Sequence, residues 1–351
     1  MSITKKQTTK GARWVVEWRL PGRIKRRRTF QTEREARLFQ AEQLTAHSHG
    51  VYFDPRRGNA ITLAHAYTSW LATRQDLTPK VRRGYEDCWR LSVSVFADWP
   101  VSKLDRASIQ NYVNTMRDVG PRTQRWRHSV LKMVLDHAVS EGWIAKNPAA
   151  KTIFPPLIDQ QHVYLTSAEV DALAKLCGPQ GDVVTILAYT GMRFGELMGL
   201  NVEDVDLVAR RIRVRRSITQ VGGRLIVGAP KSKAGKRSIP IPRKLDTILR
   251  ARIEGRVRTQ PAIASPKGFR LGRENWVRSV DWRVRTTQIG RPTLRIHDLR
   301  HTYASLARSA GADLRLLQKT MGHASITVTA HTYADLYDGE LDAVAEALDS
   351  L

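Results

Sequence analysis

Hydrophobic and polar positions alternate near the N-terminus with the period of a β-strand. The run Arg13–Leu20 places an apolar residue at every second position, which predicts a half-buried strand. Pro21-Gly22 predicts a turn, and the basic run Arg23–Phe30 predicts a returning strand. Thr32 and Glu35 have the T-x-x-E spacing of a capping box, so a helix should begin here and pack on the sheet.

The middle of the chain changes to helical spacing, with no clear strand from Ile61 to about Asn147. Apolar side chains recur there at intervals of three and four residues, which predicts the core of a helical domain. These core positions are Leu63, Ala66, Tyr67 and Trp70, then Tyr85, Trp89 and Val93, then Ile109, Tyr112, Val113 and Met116. The segment His47–Ala60, rich in glycine, proline and charge, predicts a linker before this domain, and the segment Asn147–Pro156 closes it.

A second capping box, Thr166 with Glu169, opens the last part of the chain. Three β-rich runs follow and predict one three-stranded antiparallel sheet. They are Arg211–Thr219, Arg224–Ala229 and Pro230–Ile241. The chain is thus expected to be mostly α with small β-sheets, an α+β fold divided into domains at 1–46, 61–147 and 162–351.

The charge of the chain indicates a polyanionic partner. Lysine and arginine number 58 against 33 acidic residues, a net charge of +25, and nucleic acid fits this excess best. Apolar runs stay shorter than the roughly 18 residues that span a bilayer, so no membrane association is expected. The basic residues expected to contact DNA are Arg26, Arg27, Arg28, Lys80, Arg82, Arg83, Arg122, Arg125 and Arg127. The first three should lie on the sheet face opposite to Trp14 and Trp18.

Other motifs narrow the chemistry by their absence. Cys88 and Cys177, the two cysteines, are far apart, which implies neither a disulfide framework nor a C-x-x-C metal site. The sequence contains no Walker-type phosphate loop and no apolar segment of a secretory signal. We therefore expect no cofactor, no metal, no ATP requirement and a cytoplasmic location.

Candidate catalytic residues cluster in two segments. In Leu187–Leu200, Arg193 stands in an apolar run and needs an anionic partner, for which Glu196 is placed three residues on. Near the end of the chain, His297 and Arg300 are three residues apart and should project from one helix face. His323 follows a helix-ending glycine, and ten residues later comes Tyr333.

These segments, T-G-M-R-F-G-E-L, H-D-L-R-H-T-Y-A-S and M-G-H-A-S-I followed by Tyr333, resemble the signature of the tyrosine recombinases, in particular the phage-type integrases. The resemblance covers about half of the chain, with the motifs in family order and spacing. It implies an arm-type DNA-binding domain with a three-stranded sheet plus helix at the N-terminus. A helical, SAM-like core-binding domain and a catalytic domain follow.

The resemblance also assigns roles in a reaction that passes through a 3′-phosphotyrosine. Tyr333 is the expected nucleophile, and Glu196 supports Arg193. A lysine in the last hairpin is catalytic in the family; P-K-[ST]-K fits Lys231 best and Lys233 second, and the choice stays open. The other expected catalytic residues are Arg193, His297, Arg300 and His323.

Neighbouring residues offer alternatives within the site. His301, next to Arg300, and His331 are close in sequence, but the family pattern does not place the histidine after the arginine among the catalytic residues. Tyr303 lies inside the helix of the H-x-x-R motif and is a poor nucleophile. The apolar stripe Leu341, Val344, Leu348 and Leu351 resembles a tail that docks on a neighbouring protomer.

The expected function is site-specific integration of phage or mobile-element DNA by a homo-tetramer on double-stranded attachment sites in a bacterial host. A host DNA-bending protein, an excision factor and association with the nucleoid are further expectations. A regulator that kept the fold without catalysis is the main alternative, and a relaxing topoisomerase is the second. The complete set of catalytic residues argues against the regulator, and the basic N-terminal module argues against the topoisomerase.

Overall fold

A computed structural model describes residues 1–9, 11–19, 25–48, 55–157, 162–230, 233–333 and 348–349. The chain forms two compact units, Met1–Asp159 and Gln160–Leu351. Helices with small antiparallel sheets make up both units, as the α+β prediction requires. None of the helices in these ranges is long and apolar enough to cross a membrane.

The first unit begins with a three-stranded antiparallel sheet in the order β1 (Ser2–Thr8), β2 (Gly11–Arg19), β3 (Lys25–Phe30). Helix α1 (Glu33–Ser48) begins at the predicted capping box, in which the backbone N–H groups of Glu35 and Thr32 donate to each other's side chains. One face of the sheet packs on α1 through Val16, Trp18, Ala36 and Phe39. The predicted sheet-plus-helix module is confirmed.

The prediction that the arginines of β3 lie opposite to the tryptophan face is wrong for two of the three. Trp18 pairs directly with Arg26, and Val16 pairs with Arg28. Residues paired across antiparallel strands point to the same face. The Arg28 guanidinium accordingly lies 5.1 Å from the ring centre of Phe39. Only Arg27 lies on the opposite face, as strict alternation along a strand requires.

Helices form the rest of the first unit: α2 (Pro55–Ala60), α3 (Leu63–Thr73), α4 (Pro79–Leu91), α5 (Arg106–Thr115) and α6 (Pro121–Ser140). The predicted apolar stripes are buried in one core, with Trp89 partly buried against it. The prediction of a linker over His47–Ala60 is wrong at both ends, because α1 extends to Ser48 and α2 is helical. A Cβ on Gly58 would lie 2.3 Å from the carbonyl oxygen of Trp143, so α2 packs closely here.

The second unit carries the remaining helices around one large apolar core. They are α7 (Ser167–Leu176), α8 (Asp182–Thr190), α9 (Phe194–Gly199), α10 (Asp246–Ile253), α11 (Arg273–Ser279), α12 (Trp282–Gln288), α13 (Asp298–Ser309), α14 (Leu314–Met321) and α15 (Ile326–Tyr333). The predicted capping box of Thr166 and Glu169 starts α7. Helices α8 and α13 pack side by side, which brings the two predicted catalytic segments together.

The predicted three-stranded sheet of this unit has a different membership. Strands β4 (Val205–Asp206), β5 (Arg211–Val214) and β8 (Arg237–Pro240) form one sheet, and β6 (Ser217–Val221) and β7 (Arg224–Gly228) form a separate hairpin. The predicted run Arg211–Thr219 therefore breaks between β5 and β6. Arg216 fixes this break, since its side chain lies 3.2 Å from carboxylate oxygens of both Glu203 and Asp204.

Candidate active site

Arg193 and Glu196 form the first part of the site, at the turn between α8 and α9. Gly191 ends α8 with a φ of 63°, and Arg193 is the residue before α9. The Arg193 Nη1 and backbone N–H groups each donate to Glu196 at 2.9 Å. Arg193 keeps 34% of its side-chain surface exposed, whereas Glu196 keeps 2%. The predicted ion pair is confirmed, and its arginine reaches the surface.

Arg300, near the start of α13, is buried, with 2% of its surface exposed. Its Nη1 and Nη2 atoms donate at 2.6 Å to the carbonyl oxygens of Gly191 and Met321. Burial, and then the positive charge of Arg193, lower the pKa of Arg300 to about 9. The guanidinium therefore ties α13 to the ends of α8 and α14 and lies close to Arg193.

Two of the predicted histidines lie beside these arginines. His297 immediately precedes α13, and His323 follows Gly322, which ends α14 with a φ of 69°. Burial of each ring, and then the charges of Arg300 and Arg193, lower the pKa of both histidines to about 4. The His323 ring is fixed by a 2.9 Å hydrogen bond between Nδ1 and the Thr329 hydroxyl. Both imidazoles are neutral at pH 7.

Tyr333 is the last residue of α15 and has 1% of its surface exposed. Its hydroxyl shares a 3.0 Å hydrogen bond with Nδ1 of His301. The Tyr333 ring is nearly parallel to the His323 ring, with 6.3 Å between ring centres. Burial, followed by the neighbouring histidines His162 and His297, lowers the pKa of His301 to about 3. The histidine set aside in the sequence thus contacts the expected nucleophile.

Arg237, the first residue of β8, was not among the predicted residues. Its Nη2 donates to Glu196 at 2.9 Å, and its side chain is 5% exposed. Burial raises the pKa of Glu196, but the hydrogen bond and charge of Arg237, together with Arg193, outweigh this and leave the pKa lowered. Alternation along β8 puts Arg237 on the same face as the buried Ile239. An arginine on the apolar face of a strand was the available signal.

The two expected lysines lie in the connection between β7 and β8. Lys231 lies outside the described residues, and Lys233 begins a short 3₁₀ turn, Lys233–Gly235. The structure therefore gathers Arg193, Glu196, His297, Arg300, His323 and Tyr333, and leaves the choice between the two lysines a prediction.

The basic residues expected on the helical part of the first unit differ in exposure. Lys80, Arg83 and Arg122 are exposed, and the other three are half-buried. Arg125 donates to the carbonyl oxygen of Pro155 at 2.7 Å, with its guanidinium 4.8 Å from the Phe154 ring centre. Arg82 donates to the carbonyl of Arg74. These contacts hold part of the basic surface in place.

His162, Asp298 and His301 place three potential metal-ligand atoms within 4.8 Å of one another. Both carboxylate oxygens of Asp298 already accept hydrogen bonds from Arg295, at 2.7 to 3.1 Å. His301 contacts Tyr333, and the His162 and His301 rings lie 3.9 Å apart. The carboxylate of this group is thus paired with a guanidinium, and its two imidazole rings lie in tilted contact beside the tyrosine.

A fold of this kind, with paired arginines, histidines and a tyrosine on adjacent helices, defines the tyrosine recombinase class. The model of the Phage integrase family matches residues 164–340. The integrase of Mycobacterium phage L5 is 30% identical over 304 residues, covering 84% of this chain and 80% of the phage protein. A XerC-like tyrosine recombinase of Caldanaerobacter subterraneus subsp. tengcongensis is 27% identical, covering 92% of this chain and 90% of its own.

Solved structures share the fold. The Tn1549 transposon integrase in complex with transposon right end DNA matches with a TM-score of 0.67 at 20% identity, over 81% of this chain and 100% of its own. A lambda integrase tetramer bound to a Holliday junction matches with a TM-score of 0.59 at 18% identity, and the match covers 90% of this chain and 91% of the lambda integrase chain. The chain belongs to the phage integrase family. It is a site-specific tyrosine recombinase that integrates phage or mobile-element DNA.

Proposed function

We propose that the protein cuts and rejoins double-stranded attachment-site DNA through a 3′-phosphotyrosine, with Tyr333 as the nucleophile. The observation that carries this proposal is the Tyr333 hydroxyl, which is hydrogen-bonded to His301 in the same buried cluster as Arg300. The phenolic oxygen forms a bond to phosphorus as the bond from phosphorus to the 5′-oxygen breaks. One ester replaces another, so the energy of the phosphodiester is kept for rejoining.

Arg193 and Arg300 stabilise the negative charge that gathers on the non-bridging oxygens. Guanidinium groups bind such oxygens through paired N–H donors, and fixed donors require little reorganisation during the reaction. The two carbonyl contacts of Arg300 use two of its five N–H groups. His323, with a neutral ring held by Thr329, is a further donor to the phosphate.

Two proton transfers accompany the exchange. The phenol, with an ordinary pKa of about 10, must lose its proton during attack. His301 is the histidine in contact with the hydroxyl, and its ring, neutral at pH 7, accepts the proton through Nδ1 as the bond to phosphorus forms. His297 then contacts the phosphate. Lys231, with Lys233 as the alternative, gives a proton to the leaving 5′-oxygen.

On this proposal the reaction needs neither metal nor ATP, because arginines, histidines and a lysine supply the charge and the protons. Four protomers act together on DNA; the lambda integrase that shares the fold is a tetramer on a Holliday junction. The segment Gly339–Leu351, largely outside the described residues, is the proposed link between protomers, and Leu348 within it is 62% exposed. Its deletion should weaken assembly on DNA while single-site binding persists.

The division into an arm-type module (1–46), a core-binding domain (61–147) and a catalytic domain (162–351) is part of the same proposal. Separate apolar cores in the N-terminal sheet and in the α3–α6 region support it. The module would bind arm sites, and exposed residues such as Lys80, Arg83 and Arg122 would contact the core site. A host DNA-bending protein and an excision factor complete the assembly at the bacterial nucleoid in the cytoplasm.

The nucleophile is tested with Tyr333→Phe, which removes one oxygen and little packing. The variant should bind core-site DNA like the wild type but form no covalent protein–DNA adduct on denaturing gels. Tyr303→Phe is the matched control and should form the adduct, because Tyr303 packs against Gly191 inside the core around α13. An adduct formed by Tyr333→Phe would overturn the proposal.

A further inference from the structure

Arg237 makes contacts that reach three separate parts of the catalytic unit. Its Nη2 donates to Glu196 at 2.9 Å, its Nε donates to the carbonyl oxygen of Thr320 at 2.6 Å, and its Nη1 donates to the carbonyl oxygen of Gly235 at 3.2 Å. A side chain only 5% exposed is committed to protein partners. Arg237 is therefore placed to hold other groups and not to bind phosphate itself.

Each of the three partners adjoins a residue with a proposed catalytic role. Glu196 binds Arg193 directly. Gly235 ends the turn that begins at Lys233. Thr320 lies two residues before Gly322, where a Cβ would come within 2.7 Å of the Ala234 carbonyl oxygen and 3.0 Å of the Arg237 side chain. The turn before His323 is thus packed directly on Arg237.

Charge makes the contact with Glu196 the decisive one. One buried carboxylate is shared by two guanidiniums: Arg193 Nη1 binds Oε1, and Arg237 Nη2 binds Oε2. Without Arg237, the Arg193 guanidinium would be the sole cationic partner of Glu196 among the contacts described. Its Oε2 would then keep only the backbone N–H of Arg193 as a described partner. Since charged donors on both oxygens stabilise a buried carboxylate, the Arg193 guanidinium would be drawn into a two-point pair with it and away from the surface.

We propose that Arg237 is a positioning residue: by occupying one oxygen of Glu196 and packing under the turn before His323, it keeps the Arg193 guanidinium turned toward the scissile phosphate. This inference rests on the proposed phosphate-binding role of Arg193. It assigns Arg237 no contact with DNA, so its removal should impair cleavage and spare binding.

The test compares Arg237→Gln with Glu196→Gln and with the double variant. We expect core-site binding within about twofold of wild type, and a cleavage rate lower by on the order of 10²-fold, the usual effect of losing one oriented transition-state donor. Because both substitutions act on the same pair, the double variant should cleave no more slowly than the slower single variant. Multiplied losses in the double variant would overturn the coupling through Glu196.

A second readout separates positioning from a general loss of structure. On a substrate with a neutral methylphosphonate at the scissile position, less charge develops for Arg193 to stabilise. The deficit of Arg237→Gln should therefore shrink to within a few-fold. An equal deficit on both substrates would mean that Arg237 is merely structural. If Arg237→Gln does not fold, Arg237→Lys, which keeps the charge but cannot span Glu196 and Thr320, is compared in the same way.

The matched control is Arg213→Gln on the neighbouring strand β5. Arg213 pairs with Asp206 at 3.0 Å and is 46% exposed, far less constrained than Arg237. The control should cleave both substrates at the wild-type rate, and a comparable deficit in it would overturn the inference. Failure of the proposed function would look different, since either the wild type would form no covalent adduct or Tyr333→Phe would still form one.

Discussion

Arginines serve two different purposes in the two units of this protein. On β3 of the N-terminal sheet, Arg27 is exposed on the face away from α1, and Arg28 lies over aromatic rings at the rim of the sheet. In the catalytic unit, Arg300 and Arg237 are buried and donate to backbone carbonyls or to Glu196. Arg27 supplies charge at the surface, whereas each buried arginine supplies charge and also fixes the geometry of several chain segments.

The largest effect should come from breaking a buried arginine. Arg300→Gln removes donors from the carbonyls of Gly191 and Met321. It also removes a guanidinium that is proposed to bind the phosphate. We expect cleavage to fall by at least about 10²- to 10³-fold. The free energy of unfolding should fall by on the order of 2 kcal/mol, since two buried acceptors lose their partners. Suicide-substrate cleavage and thermal denaturation measure the two effects.

Arg27→Gln is the control for that experiment. It should leave core-site cleavage and stability close to wild type, because Arg27 is exposed. If Arg27→Gln and Arg300→Gln reduced cleavage equally, the contrast between the two kinds of arginine would be wrong.

The comparison extends to the lysines, where the sequence favours Lys231 over Lys233 as the general acid. A leaving group that departs easily needs no proton, so a substrate with sulfur in place of the bridging 5′-oxygen should rescue Lys231→Ala selectively. Lys233→Ala is expected to cleave both substrates with the same modest deficit. Selective rescue of Lys233→Ala would reverse the assignment.

A smaller effect concerns pH, because burial shifts the pKa of His301. The pKa of His301 is lowered to about 3 in the folded protein, against about 6.5 when unfolded. The stability that the neutral His301 contributes is therefore complete above about pH 6.5. It declines as the pH falls from there toward 3, because in this window the unfolded chain binds the proton and the folded chain does not. Between pH 7 and pH 5 the loss is on the order of 2 kcal/mol.

Chemical denaturation of the wild type and of His301→Asn at pH 7 and pH 5 measures this effect. The variant should lose less stability between the two pH values than the wild type does. An unchanged difference would mean that His301 keeps an ordinary pKa when folded.

Local sequence patterns predicted the parts of the site that depend on neighbours in the chain. Arg193 with Glu196, the helix end at Gly322 and the capping boxes are all set by spacings of a few residues. Arg237 was not predicted and His301 was set aside, because their partners, Glu196 and Tyr333, lie 41 and 32 residues away. Such contacts depend on how helices and strands pack, which periodicity does not encode.

The errors in the sheets have a related cause. In the run Arg211–Thr219, Arg216 stands where the alternation of Ile212, Val214 and Ile218 calls for an apolar side chain. It pairs there with Glu203 and Asp204, at the break between the two strands. On β3 the error was different. Strand alternation should have separated Arg27 from its neighbours on either side, and treating Arg26–Arg28 as one basic surface ignored it.

The smallest expected effect tests, through DNA binding, whether Arg27 and Arg28 lie on opposite faces of β3. Each phosphate neutralised on a duplex contributes about −0.9 to the slope of log affinity against log salt. Removing residues 1–45 should abolish arm-site binding and flatten the slope, while core-site cleavage persists, since every residue assigned to chemistry lies beyond Thr190.

Within the module, Arg27→Gln should reduce the arm-site slope by about 0.9, the equivalent of one phosphate. Arg28→Gln should reduce it less and lower the melting temperature of the module instead, because the Arg28 guanidinium lies 5.3 Å from the Phe30 ring centre and 5.1 Å from that of Phe39. Equal slope changes in both variants would mean that DNA contacts both faces of β3. Unchanged slopes in both would make a protein partner the better explanation for this basic strand.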